Sequence, residues 1–100
     1  MANYPTEEEL EAIKKCDTFS KEGMQKFLDY IEAKWEYGDW GFKRKGKYVI
    51  KLQLHTGGWS GNEDIIYAMK ENFPFWSLWW DMTKCGGHYY FTIRLKQLPS

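Results

Sequence analysis

Apolar residues in the first forty positions recur at helical spacing, in two segments separated by a polar break. Thr6 with Glu9 is a capping-box pattern and predicts a first helix over about 7–16. Ser20 is the expected cap of a second helix, which the pattern ends at Gly38. The apolar positions of this second helix fall on one side, as burial of one face requires: Met24, Phe27, Leu28, Ile31 and Trp35.

Beyond residue 38 the apolar positions alternate, which is typical of strands. A hairpin is predicted, with Trp40 and Phe42 on its first strand and residues 47–55 as its second. One face of the second strand is apolar and the other mostly polar, so the sheet should be covered on one face.

The last forty residues predict one more helix and two more strands. The helix is expected over about 62–72, capped by Ser60 or Asn62, and Pro74 favours extended chain after it. The strands are expected over about 75–83 and 88–96. This order of elements predicts an α+β fold, a mainly antiparallel three- or four-stranded sheet with helices packed largely on one face.

Length and composition favour a single domain over residues 1–100, with 43% hydrophobic residues to form one core. It would comprise a helical half, 1–38, and a half of sheet plus one helix, 39–100. The two cysteines form no paired motif, and neither a secretory signal pattern nor a membrane-spanning run is found. We therefore expect a cytoplasmic protein without a membrane partner.

The formal charge is zero, with 14 basic and 14 acidic residues, so the overall charge gives no strong nucleic-acid signal. The halves differ, however: residues 1–40 carry five lysines against ten acids, and residues 41–100 carry nine basic residues against four acids. The asymmetry permits an acidic and a basic face. A solvated helix pair beside a slightly basic sheet is the simpler interpretation.

Two double-glycine turns, over 55–63 and 84–91, bracket the third predicted helix. Glycine at this density is conformationally costly, which indicates positive φ or close backbone approach. A loop that leads from a strand into a helix can cradle an anion. However, Glu63 and Asp64 follow the glycines where a phosphate loop needs a lysine and a hydroxyl, so a tight turn that caps the helix is the main alternative.

Trp76, Trp79 and Trp80 crowd the predicted third strand. Alternation places Trp79 on the less covered face, near Tyr90 and Arg94. There it can stack a nucleotide base, anchor a protein partner or a second copy, or pack under a loop. If the ring lies on that face, Trp79→Ala should remove activity and leave the protein folded.

Catalytic and metal chemistry have weaker support. His55 or His88 with Glu63 could serve a small hydrolase, but no nucleophile with an orienting base is visible. Cys85 and His88 would need two further ligands to hold zinc. We therefore predict no catalytic residue, no metal and no cofactor, and leave enzymatic activity open as the less favoured alternative.

The segments Thr56–Glu63, Phe75–Trp80 and Gly86–Phe91 resemble a family of small uncharacterised bacteriophage and prophage proteins, over residues about 48–94. The resemblance implies an anti-defence protein in the host bacterial cytoplasm, with no assigned reaction. We expect a non-enzymatic protein that sequesters a nucleotide-like small molecule, or alternatively an inhibitor, similar to anti-CRISPR proteins, that binds a host defence protein through an aromatic or acidic surface. The predicted ligand-binding residues are Gly57, Gly58, Trp59, Ser60, Asn62, Glu63, Trp79, His88, Tyr90 and Arg94.

Overall fold

Helices and one antiparallel sheet make up residues 4–36 and 38–99, the part of the chain that this computed structural model describes. The start of the chain, where we found no secretory signal pattern, lies partly outside these residues. The α+β class predicted from the sequence is confirmed. The elements are α1 (Glu7–Lys15), α2 (Lys21–Lys34), α3 (Gly38–Gly41), β1 (Phe42–Lys45), β2 (Val49–His55), α4 (Ser60–Glu71), α5 (Phe73–Trp79), β3 (Trp80–Lys84) and β4 (His88–Arg94), followed by a 3-10 turn (Leu95–Gln97).

The two predicted caps of the first helices are present. The Thr6 hydroxyl accepts from the Glu9 amide at 3.1 Å, and the Glu9 carboxylate accepts from the Thr6 amide at 2.9 Å. The Ser20 hydroxyl accepts from the Gly23 amide at 3.0 Å and starts α2. The predicted end at Gly38 is wrong, because the backbone turns extended at Trp35 and Gly38 instead begins the single turn α3.

The strands form a four-stranded sheet in the order β1-β2-β4-β3, with every pair antiparallel. Alternate strand residues, among them Ile50, Leu52 and Leu54, are buried in one core that also takes the apolar sides of α1, α2, α4 and α5. The helices therefore cover one face of the sheet. None of the helices in the described residues is long and apolar enough to cross a bilayer.

In the part of the chain that the structure describes, no helix lies against the opposite face, and we call it the open face. Register pairs of an antiparallel sheet share a face, so the register defines its members. They are Lys43 and Lys45 of β1, Val49, Lys51, Gln53 and His55 of β2, His88, Tyr90, Thr92 and Arg94 of β4, and Met82 and Lys84 of β3. Between Trp80 and Met82 the register shifts.

The segment 73–79 is a helix, so the prediction of a strand from residue 75 is wrong, as is the prediction of one helix after residue 38. Asn72 caps α5 by accepting from the Phe75 amide at 3.5 Å, and Pro74 lies in the first turn, where its missing N–H costs no hydrogen bond. Phe75 and Trp79, four residues apart, point into the core. Trp79 is 5% exposed, so its predicted place on the less covered face is also wrong.

Trp79→Ala should therefore destabilise the protein, by about 3–5 kcal/mol, because it removes a buried indole from a packed core. Leu78→Ala is the matched control, since Leu78 is the adjacent residue on α5 and is 59% exposed. Its effect should stay within about 0.5 kcal/mol. Urea unfolding of the three proteins measures the difference, and a Trp79→Ala protein as stable as the control would contradict the placement of this ring.

Candidate functional site

The two glycine loops meet at one end of the sheet. The Thr56 amide donates to the Gly87 carbonyl at 3.0 Å. A Cβ on Gly87 would overlap the Thr56 hydroxyl, and Gly87 has φ of 80°. Gly57, Gly58 and Gly86 also adopt positive φ, as the glycine density predicted. Contact between the loops fixes the ends of β2 and β4 beside each other.

Asn62 serves the fold rather than a ligand surface. It is 0% exposed, and its side chain forms three hydrogen bonds to backbone. The amide oxygen accepts from the Glu36 N–H at 2.9 Å, and the amide nitrogen donates to the Glu36 carbonyl at 2.9 Å and the Thr56 carbonyl at 3.3 Å. Asn62 thus ties the end of α2 to the first glycine loop, and its buried atoms are used in doing so.

The Trp59 side chain also packs against other residues of the protein. Its ring stacks on Tyr4 with 5.2 Å between centroids and lies over Gly61, where a Cβ would overlap the indole. Trp59 is the N-cap residue of α4, and no side chain caps this helix, so the predicted cap at Ser60 or Asn62 is wrong. Ser60 and Glu63 are exposed, as are Gly57 and Gly58.

His55 and His88 lie directly opposite each other where the loops meet. Their Nδ1 atoms are hydrogen bonded, and their ring centroids are 4.4 Å apart. One ring donates while the other accepts. Burial, the neighbouring His88 and Lys43 hold the pKa of His55 below its ordinary value.

Among the described residues, the register places five cations and no carboxylate on the open face, and the carboxylate of Asp81 contacts it. The cations are Lys43, Lys45, Lys51, Lys84 and Arg94. Asp81, in the irregular part of β3, accepts a hydrogen bond from the Thr92 hydroxyl. The same hydroxyl oxygen accepts a hydrogen bond from the Lys51 ammonium at 3.0 Å. Among the residues described, no salt bridge joins any of the five cations to a carboxylate.

Basic side chains of the helices are placed differently. Lys14, Lys15, Lys26 and Lys34 each pair with a glutamate. Helices α1, α2 and α4 together carry ten acidic residues against six lysines. The structure therefore turns the charge asymmetry of the sequence into an acidic helical layer and a basic open face.

Tyr90 lies near the middle of the open face. The Lys84 ammonium is 5.5 Å from its ring centroid, and the His55 ring meets it edge-on at 6.3 Å. Arg94 is six residues from His88 along β4, about 20 Å away in an extended strand. His88 and Arg94 therefore do not converge on one phosphate, although both belong to the open face.

A groove of about 620 Å³ follows β1, with the open-face residues Lys43, Lys45, Lys51 and Gln53 in its lining. Glu32, Phe42 and Arg44 line the same groove from the covered side. This groove lies on the outer edge of the sheet, away from the junction of the glycine loops.

The hydrolase alternative pairs His55 or His88 with Glu63, but the structure joins the two histidines to each other. Within the described residues, neither ring hydrogen bonds to a carboxylate, and no three His, Cys, Asp or Glu side chains form a metal-binding group. The arrangement can bind an anion through unpaired cations and can stack a ring near Tyr90.

Comparison with known proteins returned no matching family model, curated protein or solved structure.

Acid should destabilise the protein through His55. The pKa of His55 is lowered in the folded state, so the unfolded chain takes up the proton first as pH falls below about 6.5. The free energy of unfolding therefore decreases from that pH down to the pKa of the folded state. In His55→Gln, the fall in unfolding free energy between pH 8 and pH 5 should be smaller than in the wild type. Urea unfolding across this range measures it, and parallel profiles for the two proteins would refute the assignment.

Proposed function

We propose that the chain is a non-enzymatic binding protein whose open face takes a nucleotide-like ligand bearing phosphate. The single observation that carries this proposal is the set of five open-face cations without carboxylate partners in the described residues. Of the ligand residues predicted from the sequence, the proposal keeps Tyr90, His88 and Arg94. Trp59, Asn62 and Trp79 leave it because their contacts lie within the protein.

Like charges directly opposite each other support an anionic ligand. Lys45 and Lys51 are register partners on the open face, an arrangement that destabilises a sheet pair. Lys43 lies close enough to lower the pKa of His55. Phosphate groups would relieve this repulsion through charge-assisted hydrogen bonds.

Groups that recognise a base lie among the cations. Tyr90 offers an aromatic ring, and its register partner Gln53 offers an amide that can both donate and accept. Lys84 and His88 form the adjacent register pair. A base can stack or hydrogen bond at this point while its phosphate contacts a neighbouring ammonium.

The biological setting rests on the resemblance to small phage proteins. In that setting the ligand would be a nucleotide-like signal of a host defence system, and the protein would act by sequestering it in the host bacterial cytoplasm. Both statements remain predictions.

A protein inhibitor is the second candidate, and one surface favours it. Leu78 of α5 and Trp80 at the start of the edge strand β3 are 59% and 41% exposed, and Trp80 stacks on Trp76 with 6.1 Å between centroids. Exposed apolar patches of this kind are typical of protein interfaces. A host defence protein would be the partner.

A panel of mono-, di- and cyclic nucleotides, tested by thermal unfolding, separates the two candidates. A nucleotide at 100 times its Kd should stabilise the protein by about 2.7 kcal/mol. The same nucleotide should lose most of this effect on Lys84→Gln and on Tyr90→Leu, because the first removes a phosphate contact and the second the stacking ring.

Lys26→Gln is the matched control, since it changes the net charge equally but lies on α2, paired with Glu22. It should keep the full nucleotide effect. If no nucleotide in the panel stabilises the wild type, or if Lys84→Gln responds like Lys26→Gln, the open face is not the nucleotide site and the inhibitor becomes the better account.

A further inference from the structure

We propose that the ligand of the open face is a single strand of nucleic acid several nucleotides long, rather than a lone nucleotide. This inference rests on the proposed function and names its ligand class. It follows from how the cations are distributed along the strands, and from what lies between them.

The register arranges the open face in four rows across the sheet, and every row contains a cation. Lys84 lies in the row of His88 and His55, Lys43 in the row of Tyr90 and Gln53. The third row holds Lys51 and Lys45 beside Thr92, and the last holds Arg94 beside Val49.

Successive rows are two residues apart, about 7 Å, so the first and last cations lie about 20 Å apart along the strands. One phosphate cannot contact both. A chain of phosphates can contact each row in turn, as single-strand binding proteins do with a basic track along the backbone. The spacing of the cations therefore fits a polymer.

The shape of the open face favours single strands over a duplex. Four strands at about 4.8 Å spacing are about 14 Å across, wider than the major groove, which takes a helix or a two-stranded ribbon. A single strand presents its bases, and Tyr90 with Gln53 can stack and hydrogen bond them. The acidic helical layer would repel a polyanion, which limits binding to the open face.

Fluorescence anisotropy with labelled oligothymidylates of two, four, eight and twelve nucleotides tests this inference. We expect affinity to rise at least tenfold between two and eight nucleotides. Neutralisation of five phosphates would give a slope of log affinity against log salt of about −3.5. The double variant Lys51→Gln/Arg94→Gln should reduce this slope by about 1.4, and Lys26→Gln should leave it unchanged.

The outcomes separate this inference from the proposed function. Equal affinity for two and twelve nucleotides would overturn the polymer and leave nucleotide binding intact. No binding at any length would also overturn the polymer, and the nucleotide panel alone would then decide the proposed function. Equal or tighter binding of a twelve-base-pair duplex would overturn the choice of a single strand. Polyglutamate, added at the same concentration of negative charges as the oligonucleotide, is the last competitor. If it displaces the oligonucleotide, the partner is an acidic protein surface, and the assignment of a nucleic-acid ligand is overturned.

Discussion

Coverage of the sheet on one face only is the constraint on which the rest of this structure depends. Alternation sends Ile50, Leu52 and Leu54 into the core, together with the apolar sides of four helices. The other face must then be solvated or bound by something else. It could have carried mixed charges, as solvated faces commonly do, but in the described residues it carries five cations, and the carboxylate that contacts it is that of Asp81.

Contacts between the glycine loops hold the strands of the open face in position, and the loops are not themselves the proposed ligand site. Thr56 against Gly87 joins the loops, and Asn62 ties the first loop to the end of α2. These contacts fix His55 beside His88 and align the rows of the open face. A cluster of glycines and polar residues in a loop can therefore mark a precise junction as well as a ligand site.

Much of the fold could be predicted from the sequence because local chemistry decides it. The caps at Thr6 and Ser20 and the burial of alternate residues over 50–54 depend on residues close by in the sequence. All three predictions are confirmed. Segment 73–79 could not be predicted in this way. Its aromatic residues favour strands, and Pro74 suggested extended chain, but Asn72 caps a helix there. The Asn72 side-chain amide also donates to the Ile13 and Cys16 carbonyls, which are distant in the sequence.

The site was harder to predict because it depends on strand order and register. Lys43 and Lys45 alternate along β1, which is a signal for one shared face, yet their proximity to Lys51, Lys84 and Arg94 follows only from the register and the order β1-β2-β4-β3. The net charge of the whole chain also gave no sign of the basic face, since acids in the helices cancel it, and only the comparison of the two halves of the sequence indicated it. The predicted position of Trp79 was wrong for a related reason. Whether its side chain points to the core depends on whether residues 73–79 form a helix or a strand.

Lysine footprinting tests the central claim, that the open face is the binding surface, most directly. The protein would be acetylated with and without a saturating single-stranded octanucleotide, and each lysine quantified by mass spectrometry. We predict slower acetylation of Lys43, Lys45, Lys51 and Lys84 in the complex, with Lys15 and Lys26 of the helical layer unchanged. Protection of the helical lysines, or equal reactivity of all six with and without the oligonucleotide, would contradict the account.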